Sequence, residues 1–335
     1  MYFVRYGLKI DKRDEGEMES MDFGSYLHAG LHQFGQSLSK EKKQWRDATD
    51  EDIRNLSETI ASRLAPKVRY GALHADGASR YTEKALNETF RRSLTSLRKW
   101  SQNSTFDTRA LEKEFYLHLS GEKDTFTLNG KIDRIDSSGE AVAIFDYKTG
   151  HTTATLQEAV AGLKLQLLTY LLDVEEEGGG GLLPAALMYI YLSGDVKSLP
   201  AVPPGGKPPL KDKEYTSGWI LSDTDILRRL DGAAGKEDSF LPVKLSGKGT
   251  LTQTASTLSA EDFQNLLTIV KRKLLEIYHY MEKGHIPIRP VRYKNQVPCT
   301  YCPFHAIWSF DPKGEGERYD YVNLPTDREL KKQLA

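Results

Sequence analysis

The first hundred residues show apolar positions that repeat every three or four residues, which is the spacing of one helix face. The stripe of the first segment, from Asp22 onward, consists of Leu27, Leu31, Phe34 and Leu38. A second helix is predicted to begin after Thr49, because Thr49 and Asp52 form a capping-box pattern, and to end at Pro66. A third is predicted over about residues 81–100. This part of the chain is therefore predicted to be helical.

The spacing then changes to alternation of apolar and polar residues, which is typical of strands. Three such segments, residues 114–119, 126–135 and 141–148, are separated by short polar turns and predict an antiparallel meander. Residues 185–192 are continuously apolar and predict a fourth strand that is buried on both faces. A helix is predicted within residues 157–174, before this strand. The pattern indicates an α/β fold with a mixed central sheet flanked by helices.

The later part of the chain is less regular. Residues 193–256 are rich in Pro, Gly, Ser and Lys, and we interpret them as an insertion or mobile loop. A long helix is predicted from a cap at Ser259 to Lys283, with Gly284 as its stop. The last 20 or so residues are interpreted as a polar tail.

These patterns divide one elaborated domain into four parts. They are an N-terminal helical part (1–105), a catalytic sheet core (106–192), the Pro/Gly-rich insertion (193–256) and a C-terminal segment with the long helix (257–335).

Composition narrows the classes of protein that this chain represents. The 46 Lys and Arg residues balance 47 Asp and Glu residues in 335, so a generally basic nucleic-acid coat is excluded, although a local basic cleft is not. The two cysteines lie three positions apart and cannot form a secreted disulfide framework, which predicts a reducing, cytoplasmic compartment. No apolar run approaches the ~18 residues of a membrane span, so no membrane association is expected.

The densest chemical pattern lies at the ends of the second and third predicted strands. If these strands pair around the turn at residues 137–139, Asp133 lies beside Asp146, and Lys148 shares a strand face with Asp146. Two adjacent carboxylates repel each other and favour a hard divalent cation, Mg²⁺ or Mn²⁺. A lysine beside that cation can orient or deprotonate a water molecule. The alternative is an ordinary cross-strand ion pair between Asp133 and Lys148.

Two helical segments carry further candidates. Gln166 and Tyr170 are four residues apart and share a helix face, where they can hold a phosphate or a base without competing for a metal. The alternative is a half-buried helix in which Tyr170 packs and Gln166 is solvated. His28 on the first helix can ligate a metal next to carboxylates, or it can be structural.

The chain resembles the RecB-like branch of the PD-(D/E)XK nuclease superfamily. The resemblance lies in the order of three features along the chain: Asp133, the segment from Asp146 to Lys148, and the helix with Gln166 and Tyr170. The chain is also similar to the C-terminal nuclease domains of the AddB family in five segments: residues 6–9, 22–28, 242–245, 284–290 and 299–311. This resemblance implies a restriction-endonuclease-like core. It also implies a Mg²⁺-dependent exonuclease acting on DNA with an AddA-like helicase-nuclease subunit, in break processing and recombinational repair. The chain would then be one domain cut from a larger protein.

The resemblance implies four metal ligands: His28, Asp133, Asp146 and the backbone carbonyl of Tyr147. It implies that Lys148 is the catalytic lysine and that Gln166 and Tyr170 position DNA. Glu114, on the strand before Asp133, is a weaker candidate or a surface carboxylate. The competing hypothesis is a nuclease-fold module that binds DNA or a partner without cutting. The sequence contains every residue that the resemblance assigns to cleavage, namely Asp133, Asp146, Lys148, Gln166 and Tyr170, and this favours a nuclease that cuts.

The chain departs from the family at a cysteine site. The family implies a [4Fe–4S] cluster held by four cysteines, but only Cys299 and Cys302 are present, and Trp308 occupies the third place of the run. Two thiolates cannot hold such a cluster alone. We therefore expect a degenerate site without metal, with Trp308 filling the space. The alternative is a zinc site completed by His305.

Overall fold

A computed structural model of the chain describes residues 8–9, 20–74, 77–121, 125–150, 152–179, 181–192, 216–236, 239–241, 243–246, 249–252, 254, 256–285, 287–294, 297, 310–311, 313 and 318–334. Cys299, Cys302, His305 and Trp308 lie outside these residues, so the expectation of a degenerate cluster site stays a prediction. The four-part division of the chain also stays a prediction. Among the described residues, no helix is long and apolar enough to cross a membrane.

Three helices form the N-terminal part: α1 (Ser20–Lys40), α2 (Asp50–Leu64) and α3 (Gly77–Gln102). Short 3-10 segments at Trp45–Asp47 and Ala65–His74 connect them. Thr49 caps α2 as predicted, because its hydroxyl accepts a hydrogen bond from the Asp52 amide at 3.0 Å while Asp52 bonds back to the Thr49 amide. The predicted stripe of α1 is fully buried, which confirms its inward face.

The central sheet contains six strands in the order of the chain: β1 (Asp107–Ser120), β2 (Thr125–Ser138), β3 (Ala141–Lys148), β4 (Leu183–Tyr191), β5 (Thr216–Leu221) and β6 (Thr257–Leu258). The first three form the predicted antiparallel meander. The fourth lies parallel to β3, and all but its terminal residues are buried. The predicted α/β class with a mixed sheet is confirmed.

The interpretation of residues 193–256 as a mobile loop is wrong for residues 216–221 and 224–230, whereas the interpretation as an insertion stays a prediction. This region contains β5, which pairs with β4, and a helix, α6 (Thr224–Leu230). A glycine in β5 obscured the strand pattern. A Cβ at Gly218 would lie 2.0 Å from the Leu187 carbonyl oxygen, so glycine is required where β5 approaches β4.

The segment before β4 forms two helices, α4 (Leu156–Val160) and α5 (Gln166–Glu177). Gly162, with a φ of +78°, lies in the turn between them. The long helix α7 (Ala260–Glu282) begins at the predicted Ser259 cap, whose hydroxyl accepts a hydrogen bond from the Asp262 amide at 3.0 Å.

The C-terminal segment is not the polar tail that its composition indicates. A small parallel sheet joins β7 (Val291–Tyr293) to β8 (Asp320–Val322), and α8 (Asp327–Leu334) follows. Leu330 and Leu334 are buried in the main core. Hydrogen bonds also attach this otherwise polar helix: the Gln157 amide donates to Asp327 Oδ1 at 2.9 Å, and the Asn265 side-chain amide donates to the Leu334 carbonyl at 2.6 Å.

A buried ion pair lies in β2, next to Asp133. Arg134 and Asp136 are at most 2% exposed, and the Arg134 guanidinium donates two hydrogen bonds of 2.8 and 2.9 Å to the Asp136 carboxylate. The guanidinium also lies over the rings of Trp45 and Trp100, at 4.8 and 5.3 Å from their centroids. This group connects the sheet to the N-terminal helices.

Candidate functional site

A cleft of about 680 Å³ lies between α1, the middle of β1 and β2, the end of β3 and the start of α5. Seven residues predicted as site residues line it: His28, Asp133, Asp146, Tyr147, Lys148, Gln166 and Tyr170. We call this the carboxylate cleft. Because these residues come from a helix, two strands and a second helix, the fold itself assembles them.

The register of β2 and β3 brings the two aspartates together as the turn spacing predicted. Arg134 pairs with Phe145, so the next position along the ladder sets Asp133 opposite Asp146. Asp133 is 8% exposed and Asp146 is 2% exposed. The Tyr147 amide donates a hydrogen bond of 2.7 Å to Asp133 Oδ2, which fixes the orientation of that carboxylate.

The electrostatic environment disfavours the charge on Asp146. Burial is the larger cause and the charge of Asp133 the second, and together they raise the pKa of Asp146 to about 6 although Lys148 opposes them. The Lys148 ammonium contacts Asp146 Oδ2. A cation in the cleft would relieve this anionic pair.

Lys148 lies in a short polar chain that ends at Tyr170. Its ammonium donates a hydrogen bond of 3.1 Å to Gln166 Oε1, and Gln166 Nε2 donates one of 2.6 Å to the Tyr170 hydroxyl. The ammonium of Lys148 forms its ion pair with Asp146 of the same strand. The structure therefore does not show the cross-strand ion pair between Asp133 and Lys148 that was the alternative interpretation of the sequence. Burial raises the pKa of Tyr170, which keeps its hydroxyl neutral.

His28 projects from α1 onto the two strands. Its Nε2 lies 2.9 Å from the Tyr147 carbonyl oxygen, and its Nδ1 lies 3.3 Å from Asp133 Oδ1. Burial lowers the pKa of His28, but the hydrogen bond and charge of Asp133 outweigh it, so the pKa is raised. The two ring nitrogens of His28 therefore face the Tyr147 carbonyl and the Asp133 carboxylate, two of the groups that the sequence analysis named as metal ligands.

Glu112 of β1 was missed by the sequence analysis. It lies between the paired positions Leu111 with Arg134 and Lys113 with Ile132, and is therefore opposite Asp133. Its carboxylate is 4.0 Å from His28 Nδ1. Single ligand atoms of Glu112, His28 and Asp133 all lie within 4.8 Å of one another.

Glu114, the acidic candidate that the sequence analysis considered on this strand, is exposed and pairs across the ladder with Lys131. It does not line the carboxylate cleft. The two glutamates share a strand face, and only the register of β1 against β2 distinguishes them.

The donor set of the carboxylate cleft fits a hard divalent cation. It combines three carboxylates, a backbone carbonyl and an imidazole, and magnesium and manganese sites are rich in oxygen ligands. The observation that supports this fit is that two buried aspartates, Asp133 and Asp146, face one cleft with a single ammonium, that of Lys148, in contact with Asp146.

The family of the chain is shown by comparing its sequence with profiles of known protein families. The profile of the PD-(D/E)XK nuclease superfamily matches residues 1–307. The chain belongs to this superfamily. The letters D-x-K of the superfamily's name also occur in this sequence, at Asp146, Tyr147 and Lys148.

Curated relatives of this PD-(D/E)XK nuclease domain include proteins named as subunits of an ATP-dependent helicase/deoxyribonuclease. The chain is 27% identical to that of Alkaliphilus metalliredigens over 352 aligned positions, covering 99% of the chain and 30% of the relative. It is 26% identical to that of Listeria welshimeri (96% and 30%) and 28% identical to that of Pelotomaculum thermopropionicum (95% and 29%). The chain therefore spans about 30% of the length of these relatives.

Proposed function

We propose that the chain is a metal-dependent deoxyribonuclease domain that hydrolyses phosphodiester bonds in the manner of an exonuclease. The observation that carries the proposal is the convergence of Asp133, Asp146 and Lys148 with His28 in one cleft. The raised pKa of Asp146, caused by its burial and by the charge of Asp133, supports a site built to receive positive charge.

The residues that would hold Mg²⁺ or Mn²⁺ are Asp133, Asp146, His28 and the Tyr147 carbonyl, with Glu112 as an added carboxylate. Their orientation is set in advance of binding, because the Tyr147 amide holds Asp133 and α1 holds His28 against the strands. When bound, the cation would place positive charge at the scissile phosphate and lower the pKa of an attacking water.

Lys148 would act on the attacking water or on the charge that develops on the phosphate. Its ammonium is anchored by Asp146 on one side and by the Gln166 side-chain oxygen on the other. A lysine held in this way can hold and orient a water molecule for in-line attack and stabilise the negative charge of the transition state. Gln166 and Tyr170 would position the strand along α5.

The relatives support a cellular context. They are named as helicase/deoxyribonuclease subunits, and the chain aligns with them over almost its whole length. We infer that the domain belongs to an AddB-like protein, works with an AddA-like helicase-nuclease partner, and cuts a single strand that the motor delivers during break processing for recombination.

The test is a cleavage assay on single-stranded DNA with and without Mg²⁺, comparing the parent with Asp146→Asn and Lys148→Ala. The matched control is Glu114→Gln, an exposed carboxylate outside the cleft. We expect Mg²⁺-dependent cleavage by the parent and the control, and a loss of about 100-fold or more in both site variants.

A strand that is bound but not cut by the parent would favour the competing hypothesis of a binding module. Equal cleavage by Lys148→Ala and the parent would reject the catalytic role of Lys148.

A further inference from the structure

A second cleft of about 420 Å³ lies beside the carboxylate cleft. It is formed by the C-terminal half of α1, the short helix at Trp45–Asp47 and the start of β1. His32 lines both clefts, so the two are adjacent. We call this the basic cleft.

The lining of the basic cleft is cationic. Its charged residues are Lys42, Lys43 and Arg109, and no carboxylate is among the described residues that line it. Lys43 is held by Glu41 and Asp52. Lys42 and Arg109 are exposed and have no acidic partner among the described residues. Arg109 lies at an irregularity of β1 between Thr108 and Ala110, a feature that redirects a side chain out of the normal strand alternation.

The residues that line the basic cleft also include buried polar atoms without a hydrogen-bond partner among the described residues. Trp45 is 2% exposed, and its indole N–H has no acceptor among the described residues. His32 Nδ1 and the Thr108 hydroxyl are in the same condition. Buried polar atoms in folded proteins are nearly always hydrogen-bonded. Trp45, His32 and Thr108 all line the basic cleft, which is the side from which a ligand would reach them.

The position of the basic cleft relates it to the carboxylate cleft. His28 and His32 are one turn apart on α1, a rise of about 6 Å. His28 faces Asp133, whereas His32 opens onto the basic cleft. One path for a strand whose phosphate lies over the carboxylates runs past His32 to the cationic side chains.

We propose that the basic cleft binds a backbone phosphate of the substrate strand, on one side of the phosphodiester that is cut. This inference rests on the proposed nuclease function and assigns to it Lys42, Arg109 and His32 as strand-positioning residues. Three carboxylates repel a polyanion, and the metal offsets that repulsion only at the scissile phosphate. A cationic cleft next to them supplies the binding that the flanking phosphate needs.

The test measures binding of oligothymidylates to the Lys148→Ala protein, which is expected not to cut them, by fluorescence anisotropy at several salt concentrations. The long probe has about 20 nucleotides, which exceeds the roughly 4–16 that grooves for single strands usually cover, and the short probe is a dinucleotide. The variants are Lys42→Ala and Arg109→Ala. The matched control is Lys236→Ala, an exposed lysine that lines neither cleft.

We expect each cleft variant to weaken binding of the long probe about three- to tenfold at low salt, and to reduce the slope of log K against log salt by about 0.7. The Lys236→Ala control should bind the long probe as the Lys148→Ala protein does. Binding of the dinucleotide should be unchanged in every variant. An unchanged slope and affinity for the long probe, or an equal loss for both probes, would overturn the inference and leave the nuclease proposal intact. If the protein without any substitution neither bound nor cut DNA, both proposals would be rejected.

Discussion

The imidazole of His28 lies 3.3 Å from the carboxylate of Asp133, and this contact joins α1 to the central sheet. The opposite ring nitrogen faces the Tyr147 carbonyl at 2.9 Å. Both neighbours are acceptors, so without a metal the ring is stabilised in its protonated form. The same atoms are the proposed metal ligands. Proton and metal therefore compete for one arrangement of side chains.

Metal binding should depend on pH in a definite direction. The pKa of His28 is raised by Asp133 and the pKa of Asp146 is raised to about 6 by burial, so both groups are protonated at about pH 5 and must lose protons to bind a cation. We expect Mn²⁺ to raise the melting temperature at about pH 8 and to have little effect at about pH 5. Calorimetry in buffers of different ionisation enthalpy should detect proton release. An equal shift at both pH values would contradict this ligand set.

Without metal, the charge of Asp146 should destabilise the fold. Its pKa rises from 3.8 to about 6 on folding, so its contribution to stability is present below pH 3.8 and is lost as the pH rises through about 6. Asp146→Asn should therefore increase the free energy of unfolding at about pH 8 by about 1–3 kcal/mol, as urea unfolding in EDTA would measure. The gain should vanish at about pH 4. A variant less stable than the parent at the higher pH would disprove this account.

The glutamates of β1 offer a matched pair of substitutions. Glu112→Gln should weaken Mn²⁺ binding about 10- to 100-fold, because its carboxylate lies in the cluster with His28 and Asp133. Glu114→Gln should leave metal binding unchanged, because Glu114 is exposed and outside the cleft. Titration of each variant with Mn²⁺ checks both. Equal effects would place the metal away from β1.

The same pair shows which part of the site the sequence could predict. The turn between β2 and β3 is short, so it fixes the register, and Asp133 can be placed beside Asp146 from the sequence alone. The register of β1 depends on the loop after residue 120, whose length alone does not select a turn type. The choice between Glu112 and Glu114 therefore required the three-dimensional pairing.

The fold was predictable where local signals agree. Thr49 with Asp52 and Ser259 with Asp262 are local capping patterns, and the structure contains both. The fifth strand and α8 were not predictable, because their stability comes from packing on elements distant in sequence and not from local preference.

The buried pair of Arg134 and Asp136 should be essential to stability although it lies outside the carboxylate cleft. Asp136→Asn would leave the guanidinium charge buried between Trp45 and Trp100, and we expect it to lower the free energy of unfolding by about 3–5 kcal/mol. Glu88→Gln is the control, because its pairs with Arg91 and Arg92 are on the surface and contribute at most about 1 kcal/mol.

The double variant Arg134→Met with Asp136→Leu removes both charges and should recover most of that loss, because apolar residues of similar volume fill the space without an unpaired ion. Urea unfolding of the three variants and the parent measures each difference. If Asp136→Asn were no more destabilising than Glu88→Gln, the guanidinium would have to reach solvent or another acceptor. The connection between the sheet and the N-terminal helices would then not depend on this pair.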